Sequence, residues 1–371
     1  MRVLYLTNSA QIGGGNRQLQ VLWEGIRKHG IEPLVVCPTA GPMVELCRHI
    51  DVPVEVLQYP QPSWRCPIAT IQGYRIWQQL LKRTRPDLIH ANDFINARSV
   101  SLSAKHLALP LVCHVHFPAV PDSLRWMFRG LPKPWAFIYN SRATRKACEP
   151  ILVQVCQGSQ HFLIYNCVST ERFFPAENNS ATPCPLRVGI VANLIPIKGH
   201  MDFLEMARLL TDRHVAAEYW IIGEDVQKSG FGAQLETRCT ELGLRERVKF
   251  FGHRSDVFDL LRLLDVVVCA SHMEPFGLCL IEAMACEVPV VGTRVDGIPE
   301  VIEADTTGFL VAPRAPKELA DKVELLLADP SLRKRMGKAG RHRVQALFSQ
   351  DEHVKSMMEV YESLICVEGP A

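Results

Sequence analysis

Two glutamates eight positions apart, Glu274 and Glu282, flank a Phe-Gly-Leu turn in "MEPFGLCLIEAMACEVPVVG", residues 273–292. Pro275 followed by Phe276, Gly277 and Leu278 reads as a helix start, which leaves the N–H groups of Gly277 and Leu278 without intrahelical partners. Such groups bind anions. Glu274 then lies outside the first turn and Glu282 about one turn inside, a rise of ~6 to 9 Å from the helix start. A nucleoside diphosphate suits that spacing: phosphates on the N–H groups, ribose hydroxyls on Glu282, and the group carried by the phosphate near Glu274. The plainer reading is a loop charge at Glu274 and a first-turn Glu282 favoured by the helix dipole. The apolar neighbours of Glu282 in "LCLIEAMA" argue against a freely solvated face.

Three other stretches carry chemistry. In "VGIVANLIPIKGHMDFLEMARLL", Lys198 and Gly199 enter a helix whose apolar positions are Phe203, Leu204, Ala207 and Leu210. An ammonium at a helix N-terminus is unfavourable unless an anion sits between them, which points to a phosphate ligand. In "NSAQIGGGNRQLQ", Gly13, Gly14 and Gly15 precede an amphipathic helix. They form either a phosphate or acceptor loop or a tight turn. The spacing is not GxGxxG, and "LVVCPTAG" supplies no acidic residue at the next strand end, which argues against a nicotinamide-dependent dehydrogenase. In "CHVHF", His114 and His116 share one face of an extended segment, aimed at a cleft or hydrogen-bonded at a strand end. As a metal pair they lack a third ligand nearby.

These residues must be positioned by strands, because ligands of open α/β sheets bind beyond the strands' carboxyl ends. Strands are expected at "VLYLT", "PLVVCP", "VPVEVL", "PDLIHA", "PLVCHVH" and "AFIYNS", then at "LRVGIVA", "EYWIIG", "VKFFG", "DVVVCAS", "VPVVGT" and "GFLVAP", with amphipathic stretches between. This is an α/β chain of two doubly wound domains. The expected boundaries are 1–175 for the first domain, 176–186 for a polar linker, 187–349 for the second domain and 350–371 for a C-terminal helix. Val354, Met357, Tyr361 and Leu364 give that helix one apolar face, whose partner is not given by the pattern; the first domain is one candidate.

The chain of 371 residues suits two cores. Its 13 cysteines form no CxxC pair, which argues against a secreted disulfide scaffold and structural zinc and for a reducing cytoplasm. No stretch approaches the ~18 uncharged apolar residues needed to span a bilayer. Net charge is +2, but residues 1–185 carry +8 and the rest −6. The first half therefore favours an anionic partner. Within it, Arg125, Trp126, Phe128, Arg129, Lys133 and Trp135 suit either peripheral contact with the inner face of an anionic membrane or a helix that buries its aromatics, the reading preferred here. No recognisable nucleic-acid-binding module accompanies the basic residues.

Taken together, "GGGNRQ", "NLIPIKG", "EPFGLCLIEAMACEVPVV" and "DGIPEVIEADTTGFLV" resemble the retaining glycosyltransferases of family 4, which use nucleotide sugars and have the GT-B fold, two Rossmann-like domains facing a cleft. The similarity covers essentially the whole chain and is strongest over residues 186–313. It implies that Glu274 contacts the donor sugar and Glu282 the ribose. Gly277 and Leu278 would offer backbone donors beside Phe276, and Lys198 would neutralise the leaving diphosphate. His116 would lie near the reacting carbon, Gly14 and Gly15 would meet the donor phosphate or acceptor, and His253 after "VKFFG" would lie near the base. Asn193 stands where relatives carry arginine, so Lys198 bears more of the phosphate charge. "NCVS", residues 166–169, replaces Asn-Gly-Val-Asp, with Cys167 at the turn entering the linker.

The resemblance further implies transfer from a UDP-, GDP- or ADP-sugar to a hydroxyl of a glycan, lipid-linked or small-molecule acceptor, with no metal or other cofactor. Two rivals are a GT-B-fold nucleotide-sugar epimerase, which would act on donor without acceptor, and a catalytically impaired homologue that only binds sugar nucleotides.

Overall fold

Runs rich in valine and isoleucine make central strands when helices cover both faces of a parallel sheet. The computed structural model describes residues 1–7, 9–176 and 185–366, and the chain divides into two α/β units. In the first, β1 (Arg2–Leu6), β2 (Glu32–Cys37), β3 (Val54–Val56), β4 (Leu88–Ala91), β5 (Leu111–Val115), β6 (Ala136–Tyr139) and β7 (Gln160–Leu163) lie in the order β3-β2-β1-β4-β5-β6-β7. In the second, β8 (Leu186–Val191), β9 (Ala217–Ile222), β10 (Val248–Gly252), β11 (Val266–Cys269), β12 (Val290–Thr293) and β13 (Gly308–Val311) lie in the order β10-β9-β8-β11-β12-β13. All these pairings are parallel. The order reverses between β1 and β4 and again between β8 and β11. Such reversals open the crevices in which α/β sheets bind ligands.

Each expected strand segment is a strand, and β7 is an addition. The first unit comprises Met1–Asn166 and the segment that starts at Gln350; the second is Cys167–Ser349. The first boundary therefore falls nine residues before the expected 175. The Val168 N–H donates to the Phe348 carbonyl at 2.9 Å, and the rings of Phe173 and Phe174 pack on Phe258 at 5.6 and 5.0 Å. An apolar pair settles where the chain changes unit, ahead of the polar stretch that follows it. Residues 177–184 of the expected linker lie outside the described residues. Cys167 is buried, and burial pushes its thiol up.

The C-terminal helix Gln350–Ile365 packs on the helix Gly14–Ile26 of the first unit. Val354, Met357, Val360, Tyr361 and Leu364 share one core cluster with Trp23 and Ile26. The approach is close at Gly25, where a Cβ would meet the Val354 side chain at 2.6 Å. Gln350 Nε2 donates to the Val21 carbonyl at 2.6 Å, and Tyr361 Oη lies 2.7 Å from His90 Nδ1.

Candidate functional site

In the second unit the segment after β8 and the segment after β11 meet at the strand-order reversal. A short 3-10 turn, Pro196–Lys198, ends at Gly199, whose φ of +72° is strained for any other residue type. A Cβ there would lie 1.9 Å from the Ala270 carbonyl oxygen, just past β11. The His272 N–H donates to the Ile197 carbonyl at 2.7 Å. These contacts bring Lys198 to Glu274 across 76 residues of sequence, with Nζ 2.6 Å from Oε2. The two side chains are only 18% and 13% exposed. Burial lowers the Lys198 ammonium, but the charge and hydrogen bond of Glu274 more than offset it, so its pKa stands above the ordinary lysine value.

The ammonium at the entrance to the helix His200–Asp212 thus has its anion from the protein itself. The charge conflict that pointed to phosphate is met here by Glu274. A diphosphate at this position would compete with that carboxylate for Lys198. Glu274 is fixed by its backbone: its N–H donates to Asp296 Oδ2 at 2.8 Å and its carbonyl accepts from the Gly297 N–H at 3.1 Å. A Cβ on Gly297 would meet the Pro275 carbonyl oxygen at 2.2 Å. Asp296 and Gly297 are further residues of the site, and their signal in the sequence is the Asp-Gly turn in "TRVDGIPE".

Gly277 takes φ +100° and caps the helix Leu278–Ala285. Glu282 lies four residues inside that helix and is only 6% exposed. The ring of Phe276 is buried edge-on against Phe348 at 5.5 Å. Its side chain therefore packs within the second unit, and its backbone belongs to the loop that leads into the helix. Asn193 is exposed in the loop that carries Lys198. His253, 70% exposed after β10, lies 3.3 Å through Nδ1 from Glu224 Oε1.

In the first unit the glycine loop after β1 and His116 after β5 are brought together. Gly13 caps the helix Gly14–Ile26, and a Cβ on Gly15 would press on the His116 ring at 3.1 Å. Nε2 of His116 lies 2.7 Å from Asn92 Oδ1, just past β4. His114 stacks on His116 at 4.1 Å but is itself buried. Burial, then the charge of His353, holds His116 down to about 4. Phe128 is fully buried, whereas Trp126 is 58% exposed with the Arg98 guanidinium 4.3 Å over its ring. Burial of the aromatics on this stretch thus holds for Phe128 and fails for Trp126. Among the described residues no group of three or more His, Cys, Asp or Glu side chains could hold a metal. Among the described residues, too, no helix is long and apolar enough to cross a membrane.

Two Rossmann-like units with side chains gathered at both strand-order reversals define the GT-B class of glycosyltransferase folds. Residues 177–343 match the family described as glycosyl transferases group 1 and residues 12–172 match glycosyltransferase family 4, and the chain belongs to this family of glycosyltransferases. It is 32% identical to alpha-D-kanosaminyltransferase of Streptomyces kanamyceticus over 290 residues, 71% of this chain and 73% of that protein. It is 33% identical to N-acetyl-alpha-D-glucosaminyl L-malate synthase of Bacillus anthracis over 176 residues, 47% of this chain and 45% of that protein. The chain thus spans about half the length of that relative. The crystal structure of Anabaena HepE in complex with UDP and glucose shares the fold, with a TM-score of 0.84 at 23% identity over 98% of this chain and all of that one.

Proposed function

We propose that the protein is a retaining glycosyltransferase that moves a sugar from a nucleoside diphosphate sugar to a hydroxyl of a glycan, lipid-linked or small-molecule acceptor. The observation that carries the reading is the buried Lys198–Glu274 pair at the β8/β11 reversal, with the N-terminus of the helix Leu278–Ala285 close by in sequence and Glu282 one turn inside it. Leu278 and the residues after it begin a helix whose first N–H groups suit a diphosphate. On donor binding Lys198 turns from Glu274 to the diphosphate, and Glu274 is released to the sugar. Glu282 takes the ribose hydroxyls and His253 lies toward the base. The complex of HepE with UDP and glucose supports a uridine donor among UDP-, GDP- and ADP-sugars.

The chemistry asked of the protein is stabilisation of charge on the departing diphosphate. Lys198 and the helix N–H groups supply it, with Asn193 adding hydrogen bonds in place of a second cation. The hydroxyl arrives on the face the diphosphate leaves, so configuration is retained without a carboxylate nucleophile. His116 and the Gly14–Gly15 loop serve the sugar and acceptor side. Buried free cysteines in both units suit a reducing cytoplasm. Exposed Trp126, Arg125 and Arg129 offer a peripheral contact with an anionic membrane, to be checked by cosedimentation with phosphatidylglycerol vesicles.

Release of nucleoside diphosphate from UDP-, GDP- and ADP-sugars with hydroxyl acceptors tests the reading. Turnover of at least one donor is expected, with the anomeric configuration of the product, read by proton NMR, matching that of the donor. An inverted product would overturn retention, and conversion of donor in the absence of acceptor to an epimer would favour an epimerase.

A further inference from the structure

A hydrogen-bond chain of buried amides links the glycine loop to His116, and its direction can be read from one end. Asn16 and Asn92 are each 7% exposed. Asn16 Nδ2 lies 3.2 Å from the Ser9 carbonyl and 2.7 Å from the Gln11 carbonyl. Carbonyl oxygens only accept, so the amino end of Asn16 must face them and its Oδ1 faces Asn92. Asn92 must then present its own amino group, and does so at 3.2 Å. Its oxygen is left for His116 Nε2 at 2.7 Å. An amide oxygen also only accepts, so Nε2 carries a proton.

The other ring nitrogen settles the charge. Among the described residues His116 Nδ1 has no hydrogen-bond partner, and it is sealed from solvent. A proton there would be a buried donor with nothing to accept it. Among the described residues the ring meets His114, stacked on it from the same strand, Asn92 past β4 and Gly15 in the glycine loop, and it feels His90 on β4 and His353 of the C-terminal helix, whose charges would oppose another cation. Asp93, the neighbour of Asn92, directs Oδ1 to the N–H of Asn96 at 2.7 Å.

We infer that Asn92, oriented by Asn16, is a positioning residue that fixes His116 as the neutral ring protonated at Nε2. His116 therefore enters the transfer proposed above as an uncharged contact of fixed orientation, and neither gives nor takes the proton of the acceptor hydroxyl. The inference rests on that functional reading only for its catalytic consequence. An aspartate at position 92 would face the ring with a carboxylate, favour the imidazolium, and leave Asn16 Oδ1 without a donor.

The test is long-range 15N–1H correlation of the full chain labelled with 15N-histidine, with His116 assigned from His116→Gln. A protonated Nε2 and a bare Nδ1 are expected from pH 5.5 to 8. That tautomer is the readout for the variants at position 92. Asn92→Leu, of similar size, is expected to lose it, and Asn92→Asp to bring ring protonation into that range. With a turned-over donor, Asn92→Leu and Asn92→Asp should lower kcat about 10- to 100-fold, with KM for donor within about twofold. A bare Nε2 or an imidazolium in the wild type, or an unchanged tautomer in Asn92→Leu, would overturn the inference. The ring spectra decide this without any substrate, so a failure of the transferase reading would leave the tautomer result standing.

Discussion

Lys198 and Glu274 illustrate how much of a site depends on pairs that sequence does not display. The ammonium was legible as a misplaced charge at a helix entrance, because helix polarity is a local property. Its carboxylate partner lies 76 positions on and is delivered by strand order, which no periodicity encodes. Removing one member of a buried ion pair strands the other, at about 3 to 5 kcal/mol. Glu274→Ala should therefore destabilise the ligand-free protein more than the exposure of one loop residue would suggest. A double-mutant cycle with Lys198→Ala, read by urea unfolding, is expected to give a coupling of about 1 to 3 kcal/mol. Additive effects would show that the two groups do not interact in solution. In turnover, Lys198→Ala is expected to lower kcat about 100-fold or more, as for loss of a group that stabilises transition-state charge.

At the scale of elements, the positions of strands were readable wherever both faces are buried. "DVVVCAS" and "VPVVGT" are continuous apolar runs because helices cover β11 and β12 on either side. β7 escaped notice because it is an edge strand that begins on two polar residues and so has no continuous apolar run: Gln160 is exposed, and His161, Phe162 and Leu163 are only half-buried. The loops that carry the site were readable as glycines, but not which backbone each one meets. Gly199 shows the consequence, since a methyl group there would sit 1.9 Å from the Ala270 carbonyl in a left-handed conformation. Gly199→Ala should part the β8 and β11 loops and destabilise the second unit by more than the ~1 kcal/mol of backbone strain alone. Thermal melting checks it. The milder Gly15→Ala, whose methyl would press on the His116 ring at 3.1 Å, should preserve melting and reduce turnover.

The whole molecule departs most from a linear reading at its ends. The C-terminal helix follows the second unit in sequence yet completes the core of the first, and its apolar face announced burial without naming the partner. A chain ending at residue 349 should expose the Trp23 and Ile26 side of that core and melt at lower temperature, with the loss confined to probes in the first unit. The same core holds buried histidines whose burial pushes His90 down to about 3 and both His116 and His353 down to about 4. The unfolded chain protonates histidine near 6.5. Below that value it binds more protons than the native state, so stability should fall as pH drops from about 6.5 to about 4 and change little above 6.5 from these groups. Urea midpoints across that range check the sign.

The central claim is that the second unit binds a nucleoside diphosphate sugar between Lys198 and Glu282. Its most direct test is the shift in melting temperature of wild type and Glu282→Ala with UDP-, GDP- and ADP-sugars. At least one donor is expected to raise the wild-type melting temperature, with most of that rise lost in Glu282→Ala. No shift with any donor, or an equal shift in both proteins, would contradict the placement.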